Sequence, residues 1–241
     1  RAPLRPAPPA ARSLPVGGAV QAPRWRYTVS DGPTTYATEP LQTYLDDAAS
    51  KKPAPGGGSV SACVGALGAA LVSMVCNLTV GREKFADVDA EMSALVEKSE
   101  AARVKLEKLL QDDTTAYNGV IDAYKMPKET DAEKAARKAA VQAGLIIAAD
   151  VPLEICRVAV EVCRLSKTAA EKGNPQAVTD AGIGAILGEA AVVGAALNVR
   201  INLGSIEDCD YTSKAAAEIE AIQEEAAVLR AEVLAITLSK L

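Results

Sequence analysis

Between Ser59 and Gly81 the chain runs for 23 residues without a charge, and most of those residues are small. A run of this kind has two solutions. It crosses a bilayer, or it is a buried helix whose small side chains let neighbouring backbones come close. Ser61, Gly65, Ala69, Ser73 and Asn77 recur every fourth residue, along one helical face. Only Leu67, Leu71 and Leu78 are leucines, and Arg82, Glu83 and Lys84 follow at once. A second Gly/Ala-rich run, residues 176–203, carries Asp180 and Glu189. The sequence is therefore read as a bundle with two tightly packed central helices and no transmembrane segment.

Aromatic residues make up 3% of the chain and phenylalanine occurs once, so the core has to be built from Ala, Val, Leu and Ile. Alternating β-branched runs bounded by Asn-Gly or Asp-Gly turns are absent. The expected fold is all-α, an up-and-down bundle of about five to six long helices, with residues 38–241 as the helical domain. Thr38 is placed as the cap of a short first helix and Ser59 as the cap of the small-residue helix. The third helix spans about 87–125. A T-x-x-E capping box, Thr130–Glu133, starts the fourth, with Pro152 expected to kink it and Gly173-Asn174-Pro175 ending it. The fifth covers 176–203 and an amphipathic sixth fills most of 206–241.

Gly56, Gly57 and Gly58 precede the small-residue helix. A dinucleotide fingerprint fails, because the third glycine would fall at Ser61 and no strand precedes, and no G-K-[ST] follows at P-loop spacing. Two readings stay open: an inter-helix turn, or a flexible approach to helix N–H groups that hold an anion.

Histidine is absent, which removes Ser-His-Asp and Cys-His catalysis and the commonest zinc ligand. The five cysteines form no C-x-x-C pair, and four of them lie in apolar helical sequence, as buried reduced thiols do. No metal site is expected. Acid–base chemistry would fall to Asp, Glu, Lys or Tyr. On the third helix Met92, Leu95, Ser99, Ala102, Leu106, Leu109, Asp113, Ala116 and Val120 alternate spacings of three and four, an inward stripe. Asp113 stands on it, with Tyr117 alongside, while Asp112 points about 100° away. A carboxylate there is either a general acid–base with a raised pKa or a buried structural Asp bonded to a neighbouring helix. Asp180 and Asn198, five turns apart, share a face of the fifth helix, and Asn202 follows one turn later. Helix–helix hydrogen bonding explains these equally well.

Residues 1–37 read as an extended Pro/Arg-rich tail. Seven of the thirteen prolines fall before Thr34, and five arginines face Asp31 alone. That gives the tail a charge of +4 and, with a formal net charge of −5, leaves −9 on the rest. So acidic a body is not expected to bind nucleic acid. The tail resembles the region beside an organellar transit peptide, so a mitochondrial or plastid protein after processing is expected, with a cytoplasmic one as the alternative. Trp25 and Tyr27 are its expected anchors on an acidic surface, that of the chain's own body or of a neighbouring subunit, with Arg24 and Arg26 meeting carboxylates.

The segments PAPGGGSVSA, LTVGREKF, DDTTAY, GNPQAVTDAG and LNVRINL, in this order, resemble the cyclodeaminase/cyclohydrolase family: the cyclodeaminase part of formimidoyltransferase-cyclodeaminase and the free-standing methenyltetrahydrofolate cyclohydrolases. The resemblance covers about residues 39–241. It implies an all-helical homodimer with a tetrahydrofolate derivative as substrate and no prosthetic group. It implies Asp113, in D-T-T-A-Y, as the proton donor, and a folate pocket drawn from Gly56, Gly57, Gly58, Ser59, Arg82, Tyr117, Asp180, Asn198 and Asn202. The resemblance leaves cyclohydrolase and cyclodeaminase open. The competing class is a non-catalytic accessory subunit of an organellar assembly, docked by its tail.

Overall fold

The computed structural model describes residues 35–241. The expectations for Arg24, Trp25, Arg26 and Tyr27, and for docking through the tail, lie outside the described residues. Six α-helices follow one another without a strand among the described residues: α1 (Leu41–Ala48), α2 (Gly57–Asn77), α3 (Asp89–Lys125), α4 (Asp131–Lys172), α5 (Val178–Leu203) and α6 (Cys209–Ser239). The all-α bundle is the expected one.

The capping box at the head of α4 forms on both sides. Glu133 N–H donates to Thr130 Oγ1 at 3.2 Å, and Thr130 N–H donates to Glu133 Oε2 at 2.8 Å. Pro152 lies inside α4. The turn into α5 is fixed by buried Asn174, whose N–H donates to Thr79 Oγ1 at 2.8 Å and whose Nδ2 donates to Leu78 O at 3.3 Å. The end of α2 is thereby tied to the start of α5.

Two helix starts differ from expectation. Thr38 does not cap α1; its hydroxyl donates to Thr35 O, and the helix begins after Pro40. Proline disfavours helical dihedrals at the residue before it, Glu39, so the helix waits for the ring to pass. Ser59 does not cap α2 either. Gly56 is the cap and Ser59 is the third helical residue, its N–H one of the four that a helix start leaves unpaired.

α2 and α5 run antiparallel through the centre. A Cβ at Gly65 would sit 3.3 Å from Ala191 Cβ, and one at Gly68 would sit 3.0 Å from Gly184 O. α4 packs against both, and a Cβ at Gly188 of α5 would lie 2.7 Å from Cys163 Sγ. The Cys156 and Cys163 thiols donate to Val192 O and Ala185 O, and burial pushes both up to about 12. α6 is zipped along α4 by Arg157–Glu218, Arg164–Glu225 and Lys167–Glu232, at 2.6–2.7 Å. Gly65→Leu adds carbon where Leu106 and Ala191 already close the gap. It is expected to cost about 1–3 kcal/mol, read as a lower urea midpoint.

α2 and α5 are each long and apolar enough to cross a membrane, which by itself does not establish a span, and about half of each apolar stretch (56% and 50%) is buried in the bundle. The other half faces outward in a regular pattern. On α2 it is Val60, Leu67 and Met74, spaced by seven; on α5 it is Ile183, Ile186, Val193, Leu197 and Ile201, with Ala190 between Ile186 and Val193.

Candidate active site

Asp113 reaches from the apolar stripe of α3 to the first turn of α2. Its Oδ2 accepts the N–H of Ser59 at 2.8 Å. The carboxylate thus supplies, from another helix, the cap that no side chain in α2's own approach provides. Two influences compete on it: burial pushes its pKa above the usual carboxylate range, and the Ser59 N–H pulls it back. Burial is the larger.

Gly58 is required by this contact, because a Cβ there would overlap Asp113 Oδ1. Gly57 faces Asn198, with a Cβ falling 3.1 Å from its Nδ2. Gly56 meets nothing within 4 Å and serves as the cap. The triple glycine is therefore a surface against which one carboxylate and one amide lie flat. Gly58→Ala is expected to push Asp113 off the Ser59 N–H and lower turnover at least about 10²-fold, with an unchanged far-UV circular dichroism spectrum.

Asp113 opens into a cavity of about 330 Å³. Its floor is Tyr117 and Val120 of α3 with Ala148 of α4; Asn198, Ile201 and Asn202 of α5 form one wall, and Pro53 to Gly57 the rim. Asn202 Nδ2 donates to Ala148 O at 2.8 Å and to Asn198 O at 2.9 Å, and Asn198 Nδ2 donates to Gly194 O at 2.9 Å. With the Asn202 donors occupied, its carbonyl oxygen is the atom left for a ligand. Among the described residues no lysine or arginine lines this cavity, and no three Cys, Asp or Glu side chains gather as a metal-holding group. A carboxylate among apolar and amide groups, without a protein cation, is complementary to a positively charged ligand.

Of the residues expected from sequence, Gly56, Gly57, Gly58, Ser59, Asp113, Tyr117, Asn198 and Asn202 come together here. Arg82 and Asp180 do not. Arg82 lies beyond the far end of α2, in a shallow depression with Glu83 and Asp89. Asp180 is in the first turn of α5, eighteen residues or about 27 Å from Asn198. Tyr44, buried and bonded to Ser59, was not anticipated; its only signal was an aromatic residue in a chain that has few. A larger, more open groove of about 770 Å³ runs between α3 and α4, past Lys108, Asp112, Gly119 and Ile147, and contains none of the expected residues.

The chain resembles known proteins over most of its length. The sequence pattern of the family described as Formiminotransferase-cyclodeaminase matches residues 40–221. Methenyltetrahydrofolate cyclohydrolase of Methylorubrum extorquens is 44% identical over 202 residues, covering 84% of this chain and 97% of the relative. Formimidoyltransferase-cyclodeaminase of Sus scrofa is 36% identical over 196 residues, covering 81% of this chain, which spans only 36% of that relative's length. The crystal structure of formiminotetrahydrofolate cyclodeaminase from Thermotoga maritima superposes with a TM-score of 0.77 at 31% identity, covering 85% of this chain and 98% of the other. By sequence and by fold, the chain belongs to the formiminotransferase-cyclodeaminase family.

Proposed function

We propose that the chain hydrolyses 5,10-methenyltetrahydrofolate to formyltetrahydrofolate, with Asp113 as its general acid–base. The observation that carries this reading is the Asp113 carboxylate, which among the described residues is set in a cavity without a lining cation and fixed by a single N–H. The methenyl carbon lies between two nitrogens and carries a delocalised positive charge. Ionised Asp113 attracts that charge and accepts a proton as water adds to the carbon. The protonated acid then gives the proton to the departing ring nitrogen, and as that C–N bond breaks the added hydroxyl releases its own proton to solvent and becomes the formyl oxygen on the other nitrogen. Burial, which raises the Asp113 pKa above the usual carboxylate range, favours the protonated form that the second half of this cycle uses. A relative matched over 84% of this chain and 97% of its own length is named methenyltetrahydrofolate cyclohydrolase, which supports this reading.

Cyclodeamination is the second reading, favoured by the name of the superposable structure. There the ring closes on the formimino carbon and Asp113 protonates the departing ammonia. Purified chain is expected to bleach the methenyltetrahydrofolate absorbance and to release little ammonia from formiminotetrahydrofolate. Ammonia release without bleaching would reverse the order.

A second copy completes the site in this reading. Of the outward apolar positions of α5, Ile183 mirrors Leu197 about Ala190, and Ile186 and Val193 fall one residue short of mirroring each other. Antiparallel pairing of two α5 helices about a two-fold axis there sets each residue against its mirror. With the matching stripe of α2, the face is about 39 Å by about 20 Å, or about 800 Å² per partner, the size of a stable interface. The same axis sets Asp180 of one copy opposite residue 200 of the other, within one turn of Asn198. Arg82 of one copy then approaches the glycine rim of the other.

A further inference from the structure

α1 lines none of the cavity, yet with the segment before it α1 is fastened to α2 and α3, the two helices joined by the Asp113–Ser59 bond. Tyr44 is 5% exposed, and its hydroxyl lies 3.0 Å from the hydroxyl of fully buried Ser59. Ser59 is the residue whose N–H holds Asp113 Oδ2 at 2.8 Å. Behind Tyr44, Tyr36 packs edge-on with ring centroids 5.2 Å apart and donates its hydroxyl to Asp47 Oδ2 at 3.0 Å. The Tyr36 N–H donates to Gln111 Oε1 at 3.2 Å, two residues before Asp113 on α3. The first turn of α2 would otherwise be loose, since three glycines lead into it and no side chain of its own caps it.

We propose that Tyr44 is a positioning residue for Asp113: it tethers the Ser59 hydroxyl, keeps the Ser59 N–H aimed at Oδ2, and leaves Oδ1 as the oxygen that exchanges protons with substrate. This rests on the reading of Asp113 as the acid–base group. The titratable groups packed around Asp113 are Tyr44 of α1, Cys63 of α2 beside it, and Tyr117 one turn along α3. Asp112 is turned away and paired with Lys108. From α4 and α5 the cavity receives Ala148, Asn198, Ile201 and Asn202, none of them titratable. Burial pushes the Tyr44 phenol up to about 12, so it stays a neutral hydroxyl while Asp113 titrates. Among the described residues the Ser59 N–H is then the one hydrogen bond that sets Asp113 against its burial.

Carboxyl-13C aspartate labelling tests this without any substrate, with the Asp113 signal identified by its loss in Asp113→Asn. Tyr44→Phe keeps the ring that Tyr36 packs against and removes only the tether. The Asp113 titration is expected to move upward by at least about 0.5 pH unit, because the charged form loses part of its donor. The acid limb of kcat should follow it, with kcat about tenfold lower and KM within about twofold. Ser59→Ala breaks the same tether from the other side, so it carries the same expectation should the Phe variant not fold. A folded variant whose Asp113 titration overlays wild type overturns the proposal. Wild type inactive on either folate, with the NMR shift intact, would overturn the reaction assignment and leave the tether standing.

Discussion

Asp113→Asn is expected to lower methenyltetrahydrofolate turnover about 10³-fold, within the range for loss of a general acid–base group. The amide keeps the shape, and its oxygen still accepts the Ser59 N–H, so α2 retains its cap. What is lost is the ability to take and return a proton. The same substitution should raise Tm at neutral pH. Burial raises the folded-state pKa of Asp113 above its unfolded value, so the native state binds the proton more tightly than the unfolded chain does. Stability therefore declines as pH rises from the unfolded pKa through the folded one, and the ionised carboxylate is a standing cost above that window. Asparagine removes the cost. The Tm gain should be full at pH 8 and vanish near pH 3. Calorimetry at the two pH values checks this, and a variant less stable than wild type at pH 8 would mean that the cap outweighs the desolvation. Wild-type activity should fall with pH along an acid limb above the ordinary carboxylate range.

The second large effect is expected at Ala190. Ala190→Glu places two carboxylates against each other on the proposed two-fold axis, in an otherwise apolar face. Like charges juxtaposed at an interface cost several kcal/mol, so light scattering should show monomer at concentrations where wild type is dimeric. Helicity should be unchanged, because Ala190 is exposed and touches no other helix's core in one copy. Turnover should fall with the dimer if a second copy contributes Asp180. A complementation experiment separates that contribution from mere stability. Asp113→Asn and Asp180→Ala should each be inactive alone. Mixed in equal amounts through a denatured state, half the dimers are hybrids, and one of the two sites in each hybrid has both native residues. Activity should return to about a quarter of wild type. No recovery, with hybrids present by mass, would place Asp180 outside the catalytic unit.

The parts of the fold that follow from periodicity and end signals were legible in the residues. The stripe through Asp113 is the buried face of α3, and Thr130 and Glu133 form the predicted box. The four-residue repeat from Ser61 to Ser73 is buried against other helices. What was not legible depends on distance between elements. Ser59 looked like a cap because serine before an apolar run usually is one. The sequence cannot show that a carboxylate 54 residues later occupies that place and frees the helix to start at Gly57. Tyr44 was hidden for the same reason, since its partner is fixed by how α1 folds back. Arg82 and Asp180 fell together with the site on resemblance alone, and helix length separates them within one chain.

Asp113 is at once the proposed proton carrier and the cap of α2, so fraying of that helix and disarming of the site are one event. Each time the first turn opens, the Ser59 amide meets water and the carboxylate loses its fixed oxygen. Hydrogen exchange at that single amide should therefore count the disarmed population directly. Its protection should weaken as Asp113 takes up a proton and ceases to be an anionic acceptor. A ligand that seals the cavity should slow it. The amide offers a clock for readiness that runs in the resting protein, before any substrate arrives.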